Sequence, residues 1–416
     1  MTDRLPVTDS PPLADGLTAS ARPDHPGHAS IRRPAVVYVA LFFAVGTFFP
    51  YLTVFYRSVG LTLEGIGLVA ALTGLVAVVA APIWGAAVDR LRDARGPLLV
   101  AGLWGAAAAG WLAVSREPLM IAIAAAVLSA GTAGMGSMLD SRTIEIIGSN
   151  RDRYGRARAW GSAAFVGGAL VAGFVLEPTG PAGLFLLYAP AVALAGVAAW
   201  LLLGRRGSPG RGRHTVSIGM GRDFGRLVRD PTMLLLFVGS VIVWTSVSAV
   251  TTFVSVHLVE LGSGTVVVGF VFTPGALVEV PFMLAFPALA RRIGPERLLV
   301  LGAVAFAARS AGWALVSDPW LYVAIAPLGG IGYALFYVGT VTYVSRVVPP
   351  SVQATAQGLF SGTAFAMGVI LGSVLGGQVA GALTIPGMFA VAAVSTLVGA
   401  LVVGRATWLR RTVFVG

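Results

Sequence analysis

The sequence predicts an all-α integral membrane protein in which twelve transmembrane helices form two six-helix bundles. Of the 416 residues, 56% are hydrophobic and only 11% are charged, and the mean hydropathy of +0.84 lies well outside the range of soluble domains. Apolar runs of about 20 residues, the length that crosses a bilayer, recur along the chain. A long arginine-rich break divides these runs into two sets of six.

The first half of the chain predicts a tail followed by the first bundle. Residues 1–33 are rich in proline, aspartate, serine and histidine and predict a disordered cytoplasmic tail. The first apolar run starts too late, and is too long, for a secretory signal peptide. Residues 34–203 predict the N-terminal six-helix bundle. Its apolar runs are Ala35–Tyr56, Gly65–Val88, Leu98–Val114, Leu119–Ile147, Ala157–Leu176 and Ala182–Leu203.

The second half repeats this plan after a basic linker. Residues 204–230 carry seven arginines and predict a cytoplasmic linker. Residues 231–404 predict the C-terminal six-helix bundle, and residues 405–416 predict a second cytoplasmic tail. The apolar runs of this bundle are Met233–Leu258, Val266–Ala290, Leu298–Val316, Trp320–Ser345, Val352–Val379 and Pro386–Val403.

The placement of arginine predicts the orientation in the membrane. The chain has no lysine, and with a cytoplasmic N-terminus the inside segments hold 24 of the 29 basic residues. The outside loops hold only Arg57 and Arg116, as the positive-inside rule requires. We therefore expect a multi-pass protein of the cytoplasmic membrane with both termini in the cytoplasm. Because the net charge of +11 is spread over every inside loop, we expect no nucleic-acid partner.

Residue types that the chain lacks exclude several classes of function. Without lysine, the chain cannot build a P-loop ATPase or a Schiff-base pigment. Without cysteine, it has no disulfide framework or thiolate metal site. No HExxH, GxSxG or histidine cluster occurs, so we expect neither an enzyme nor a metal or other cofactor.

Short motifs recur in the two halves at an offset of about 200 residues, the size of a six-helix bundle. The second helix of each half begins with a similar pattern, Ser58–Gly67 and Val259–Gly269. The fifth helix of each half begins with A-R-A-W-G at Ala157–Gly161 and A-T-A-Q-G at Ala354–Gly358. Parallel repeats joined by a basic cytoplasmic loop predict a two-bundle transporter with its binding site between the bundles.

Ionisable residues within the apolar runs are the candidates for that site. A charge at the bilayer centre costs roughly 2.5–3.5 kcal/mol, so such residues usually mark a substrate or ion pathway. The two predicted pairs, one per bundle, are Asp140 with Arg158 and Glu279 with Arg309. The alternative is that each pair only holds two helices together.

The stretch Gly85–Arg95, G-A-A-V-D-R-L-R-D-A-R, resembles the signature of the major facilitator superfamily. Gly85 permits close helix approach, and Asp89 and Arg90 are expected to act in a cytoplasmic gate. Together with the six-plus-six plan, the resemblance covers essentially the whole chain. It implies the pseudo-symmetric fold of this superfamily, a small-molecule substrate and alternating access.

Within the superfamily, Tyr154–Ser162, Y-G-R-A-R-A-W-G-S, resembles the start of helix 5 in the lactose permease and its relatives. In that family, the helix-5 arginine and a helix-4 carboxylate eighteen positions earlier bind sugar hydroxyls. The resemblance places these roles on Arg158 and Asp140, and the stacking aromatic on Phe165. It places the helix-9 arginine on Arg309.

Glu279 falls about one turn from the family's helix-8 carboxylate, in an E-x-P-F-M pattern closer to the phenylpropionate and nucleoside permeases. The family's proton-coupling residues on helix 10 align with Ala326, Gly329 and Gly332. Proton coupling, if present, must therefore rest on Asp140, Glu145 or Glu279.

Four more residues complete the candidate set. Tyr333 and Tyr337 are four apart on the tenth helix, where cavity lining and core packing remain equal alternatives. Arg142 and Glu145 are three apart and can pair on a helix, either as a gate or as a helix cap.

These features predict a secondary transporter for a small polar or anionic solute of sugar, nucleoside or aromatic-acid type, working by proton symport. The expected partners are the substrate, protons and the lipid bilayer, and we expect a monomer. Proton-driven efflux of sugars or drugs is the alternative within transport, and a non-transporting membrane sensor is the alternative outside it.

Overall fold

The computed structural model describes residues 31–147, 151–204, 230–348 and 353–413. The tail predicted before residue 31, nearly all of the linker predicted over 204–230, and the last three residues lie outside the described residues. The described residues form one compact unit.

Twelve helices of the described chain are long and apolar enough to cross a membrane, which confirms the predicted fold class. They are α1 (Arg32–Ser58), α2 (Leu63–Leu91), α3 (Arg95–Val114), α4 (Pro118–Ile147), α5 (Arg153–Thr179), α6 (Pro181–Leu202), α7 (Pro231–Glu260), α8 (Thr265–Ile293), α9 (Pro295–Leu315), α10 (Pro319–Val347), α11 (Gly358–Ala382) and α12 (Ile385–Trp408).

Three of these helices, α1, α4 and α10, are interrupted within the span, at residues 49–51, 133–134 and 326. Proline explains two of the breaks, because Pro50 and Pro327 have no backbone N–H to continue the helical hydrogen bonding. The broken helices are also helices that line the interior cavities described below. The irregular backbone therefore lies where protein or a cavity surrounds it.

Packing follows the predicted two bundles. In the first bundle α1 packs on α5 and α6, and in the second α7 packs on α11 and α12. The bundles meet through α2 against α11 and α5 against α8. The α2–α11 contact depends on glycine, because a Cβ on Gly67 would overlap the Ser373 carbonyl and approach the Gly377 Cα to 3.2 Å.

Polar contacts join the two bundles at the end that carries the α1–α2 and α7–α8 turns. The Arg57 Nε lies 2.9 Å from the Glu260 carboxylate. The Glu177 carboxylate, at the end of α5, accepts hydrogen bonds from the Thr265 amide (2.7 Å) and hydroxyl (2.9 Å). The Tyr51 hydroxyl donates to the Thr265 carbonyl at 3.3 Å. Glu177 therefore caps the N-terminus of α8 from the opposite bundle, and this end is closed.

We expect the substitution Glu177→Gln to weaken the closed end, because it removes a charge-assisted cap that spans the bundles. The open population at this end should rise about fivefold, the effect of roughly 1 kcal/mol at a solvent-exposed position. Since the chain has no cysteine, spin labels on Leu186→Cys and Leu315→Cys report the distance across this end without background. Glu117→Gln, an exposed carboxylate at the same end, is the matched control. An unchanged distance distribution in Glu177→Gln would contradict the role of the cap.

Candidate functional site

A cavity of about 270 Å³ lies between the bundles and gathers four of the predicted site residues. Phe165 lines it from α5, Glu279 from α8, Arg309 from α9 and Tyr333 from α10. Its other lining residues are Phe49, Val247, Thr251, Val254, Val271, Phe272, Gly275, Ala276, Phe306, Trp313, Ala326, Gly329 and Gly330. The charges of this cavity thus lie on an otherwise aromatic and apolar wall.

Arg309 is the most deeply placed charge of this cavity, with only 8% of its surface exposed. Its guanidinium carbon lies 4.8 Å from the Trp313 ring centroid and 5.6 Å from that of Phe306. Within the described part of the chain, its Nε and Nη2 have no hydrogen-bond partner. Buried polar groups are normally hydrogen-bonded, and a buried charge without partners is costly. An acceptor supplied by a ligand would remove that cost.

The sequence predicted an ion pair between Glu279 and Arg309. The structure does not show it, since none of the ion pairs of the described residues joins these two side chains. Both side chains line the cavity, with space between them. Glu279 is half-buried, and it has an electrostatic interaction with Arg158 of the other bundle, without a direct ion pair between the two side chains in the described chain. The structure therefore relates Glu279 to α5 across the cavity.

The ion pair predicted between Asp140 and Arg158 is likewise not formed among the described residues, because Tyr38 of α1 lies between them. The Tyr38 hydroxyl donates to Asp140 Oδ1 at 2.5 Å. The Arg158 guanidinium carbon lies 5.8 Å from the Tyr38 ring centroid and 4.0 Å from that of Phe42. Tyr154 also lies near the Asp140 carboxylate.

Sequence reasoning missed Tyr38 and Phe42. The available signal was their spacing of four on α1, which places two aromatic rings on one helix face. Nothing in the local sequence indicates that this face meets α4 and α5.

The remaining predicted aromatic residues differ in their exposure to the cavity. The Tyr333 and Tyr337 rings stack at 5.3 Å between centroids and 12° between planes. Tyr333 lines the cavity, whereas Tyr337 is not among the lining residues and packs behind it. Trp244 of α7 meets the Tyr333 ring edge-on at 5.7 Å. Tyr337 thus supports the position of Tyr333.

A second cavity, of about 300 Å³, opens among α1, α2, α4 and α6 of the first bundle. Phe49 lines both cavities. The wall of this second cavity carries the hydroxyls of Thr73, Ser129 and Thr132 and is otherwise mostly apolar. The hydroxyl of Tyr56, which also lines it, is buried without a hydrogen-bond partner in the described residues. This cavity was not predicted, because its wall lacks the charges by which the other site residues were found.

The predicted cytoplasmic gate residues are exposed in this conformation. Gly85, Asp89 and Arg90 all lie at the surface, and a Cβ on Gly85 would meet no atom within 4 Å. At the end of the same motif, Asp93 pairs with Arg95 at 2.9 Å. Partial burial raises the pKa of Asp93, but hydrogen bonds from the Arg95 guanidinium and amide outweigh it and leave the pKa below its usual range. Arg95 thus fixes the α2–α3 turn.

Arg142 is a helix cap in this conformation. Its Nη2 donates to the carbonyls of Leu203 (3.2 Å) and Gly204 (2.7 Å) at the end of α6, and its Nη1 pairs with Glu145 at 2.9 Å. Of the gate and the cap that the sequence left open, the geometry matches the cap. A cation at a helix C-terminus also interacts favourably with the helix dipole.

His257 does not line the cavity between the bundles. His257 is buried and packs its ring against Tyr322 and Phe389, each at 5.7 Å between centroids. Over the described residues, no group of three or more histidine and acidic side chains could hold a metal ion.

Comparisons with known proteins agree with this architecture. The family described as the MFS_1 like family matches residues 32–389. The chain is 27% identical over 367 residues to the maltose permease of Geobacillus stearothermophilus, covering 88% of this chain and 91% of that protein. It is 29% identical over 235 residues to the putative nucleoside transporter YegT of Escherichia coli (strain K12), covering 53% and 54%. The crystal structure of the nucleoside transporter NupG superposes with a TM-score of 0.79 at 18% identity, covering 91% and 98%.

We expect Arg309→Met to raise the midpoint of thermal unfolding of the purified, substrate-free protein by about 2–4 °C. The reason is that Met fills similar space without a buried charge whose donors lack partners, a change typically worth 1 kcal/mol or more. Differential scanning fluorimetry measures the midpoint. Arg292→Met, an exposed arginine at the end of α8, is the control and should leave it unchanged. A lower midpoint for Arg309→Met would mean that the guanidinium stabilises the empty protein.

Proposed function

Because the chain belongs to the MFS_1 like family and is a secondary transporter of major-facilitator type, we propose that it carries a hydroxyl-rich solute, a sugar or a nucleoside, through the cavity between its bundles. The observation that carries this proposal is the buried Arg309, whose guanidinium has donors without partners in the described chain. Family membership also confirms the superfamily resemblance of Gly85–Arg95 and the expectation that the chain is not an enzyme.

The cavity offers both kinds of hydrogen-bonding group that a hydroxyl-rich ligand needs. Arg309 supplies donors, the Glu279 carboxylate supplies acceptors, and the Tyr333 hydroxyl supplies either. Phe165 and Trp313 supply flat apolar walls on which a sugar ring or a base packs. A solute that bridges Glu279 and Arg309 would occupy the space left by their missing ion pair. The maltose permease and YegT, which share sequence with this chain, support this substrate class.

Transport proceeds by alternating access in this proposal. Contacts of Arg57 and Glu177 close one end, whereas Gly85 and Asp89 at the other end are exposed. With both termini in the cytoplasm, this conformation faces inward. Return to the outward-facing state requires that Glu177 release α8 and that the two bundles approach at the Gly85–Arg95 end.

Proton symport through Glu279 is the coupling mechanism that we propose. A carboxylate in an apolar cavity keeps its charge only while a cation or hydrogen-bond donor is near. Arg158 acts on Glu279 from the opposite bundle, so rocking of the bundles changes their separation. Glu279 is therefore the proposed proton carrier. Arg158 is the cation that controls its protonation, and Tyr38 and Phe42 hold that cation in place.

The test is uptake of radiolabelled maltose and uridine into proteoliposomes with an alkaline interior. We expect the wild type to accumulate one of them, and Arg309→Gln to lower the initial rate about tenfold or more, because a charge-assisted hydrogen bond to the solute is lost. Arg291→Gln, an exposed arginine at the end of α8, is the control. No uptake of either solute by the wild type would refute the substrate class, and uptake that ignores the pH gradient would refute symport.

A second measurement separates binding from coupling. We expect Glu279→Gln to lose accumulation driven by the pH gradient while it still exchanges internal for external solute in a counterflow assay, because the amide still hydrogen-bonds but carries no proton. Arg309→Gln should lower both activities about tenfold or more, because it weakens solute binding itself. If Glu279→Gln accumulates solute as the wild type does, the proton carrier is another residue.

A further inference from the structure

A groove runs along the outer surface of the second bundle, between α9 and α12. Two adjoining hollows of about 500 Å³ and 570 Å³ form it and share the lining residues Val300, Gly404 and Trp408. Its floor is otherwise apolar over most of its length and includes Ile293, Leu301, Val304, Leu397, Ala400 and Leu401. The groove shares no lining residue with the cavity between the bundles, so it is a separate feature.

One end of the groove is basic. Arg297 lies at the start of α9 and Arg405 near the end of α12, and both are exposed. The Arg405 guanidinium carbon lies 5.8 Å from the Trp408 ring centroid, and Trp408 is 56% exposed. The buried Thr407 hydroxyl donates to the Gly404 carbonyl at 2.9 Å. The one acidic residue of the lining, Glu296, is half-buried and has an interaction of its own.

This combination matches the chemistry of a lipid. The floor faces outward from a membrane-spanning bundle, so hydrocarbon chains are its natural occupants. Tryptophan and arginine at the end of a span lie at the level of the lipid head groups. Two guanidinium groups at that level favour a phosphate diester over a neutral or zwitterionic group. On the predicted topology this end is cytoplasmic, the side where anionic lipids attract basic residues.

We propose that the α9–α12 groove binds an anionic phospholipid, with its phosphate at Arg297 and Arg405, its glycerol beside Trp408 and an acyl chain along Val300, Val304 and Leu401. Gly404 makes room for the chain, because a Cβ at this position would meet only the Val300 side chain, at 3.6 Å. A second copy of the chain is a poorer occupant. A two-fold dimer through this groove would place the two arginine pairs against each other.

Native mass spectrometry of the delipidated full chain, titrated with phosphatidylglycerol or phosphatidylcholine, tests the proposal. The wild type should bind one phosphatidylglycerol more tightly than phosphatidylcholine. The double variant Arg297→Gln, Arg405→Gln should weaken that binding about thirtyfold, as expected for two arginines at an anionic lipid. The control Arg291→Gln, Arg292→Gln removes the same charge from exposed positions outside the groove lining and should stay within about twofold. Gly404→Leu, which fills the groove, should weaken binding of both lipids.

A second measurement locates the lipid independently of charge. Brominated phosphatidylglycerol should quench a fluorescence component that is absent from Trp408→Phe, whereas brominated phosphatidylcholine should quench that component less. Three outcomes would each overturn the proposal. They are equal binding of the two lipids, an equal loss of phosphatidylglycerol affinity in the control double variant, and unquenched Trp408 fluorescence. A dimer that Gly404→Leu dissociates would show that a second copy occupies the groove.

Discussion

The low dielectric of the bilayer is the constraint on which this structure depends, because a charge at membrane depth is tolerated only where protein or a water-filled cavity surrounds it. Asp140, Arg158, Glu279 and Arg309 all meet this condition at the inner surfaces of the two bundles. The outer surfaces expose leucine, valine and isoleucine instead. The same constraint confines the breaks in α1, α4 and α10 to helices that line cavities.

The four inner charges are not arranged as two closed ion pairs. Asp140 is held by the Tyr38 hydroxyl, and Arg158 lies against the rings of Tyr38 and Phe42. Arg158 is therefore held by rings and remains able to act on Glu279 across the cavity, while Arg309 keeps donors without partners in the described chain. Closed pairs would stabilise the empty protein and leave nothing for a solute to bind. In the function proposed above, the open arrangement lets the solute complete the polar interactions of the cavity.

Charges near the helix ends serve stability and conformational state rather than solute binding. Arg142 caps α6 within one bundle, whereas Glu177 caps α8 across the two bundles. The difference matters for the alternating access proposed above. In that mechanism, a cap within a bundle survives a rigid-body movement of the bundle, whereas a cap between bundles must break.

The sequence by itself determined the number of helices, the two-bundle fold, the family and the set of charged residues at membrane depth. The helix count and the set of buried charges follow from composition and periodicity, because hydrocarbon penalises charge regardless of tertiary detail. The family follows from the resemblance carried by the Gly85–Arg95 motif and the repeated plan. Of the seven residues predicted to bind solute or protons, four line one cavity, namely Phe165, Glu279, Arg309 and Tyr333. Only the tertiary structure decided which groups meet. Tyr38 lies between Asp140 and Arg158, and contacts between residues more than 100 positions apart depend on how helices pack and rotate. The second cavity and the α9–α12 groove also depend on side chains from separate helices, and no local pattern in the sequence records their meeting.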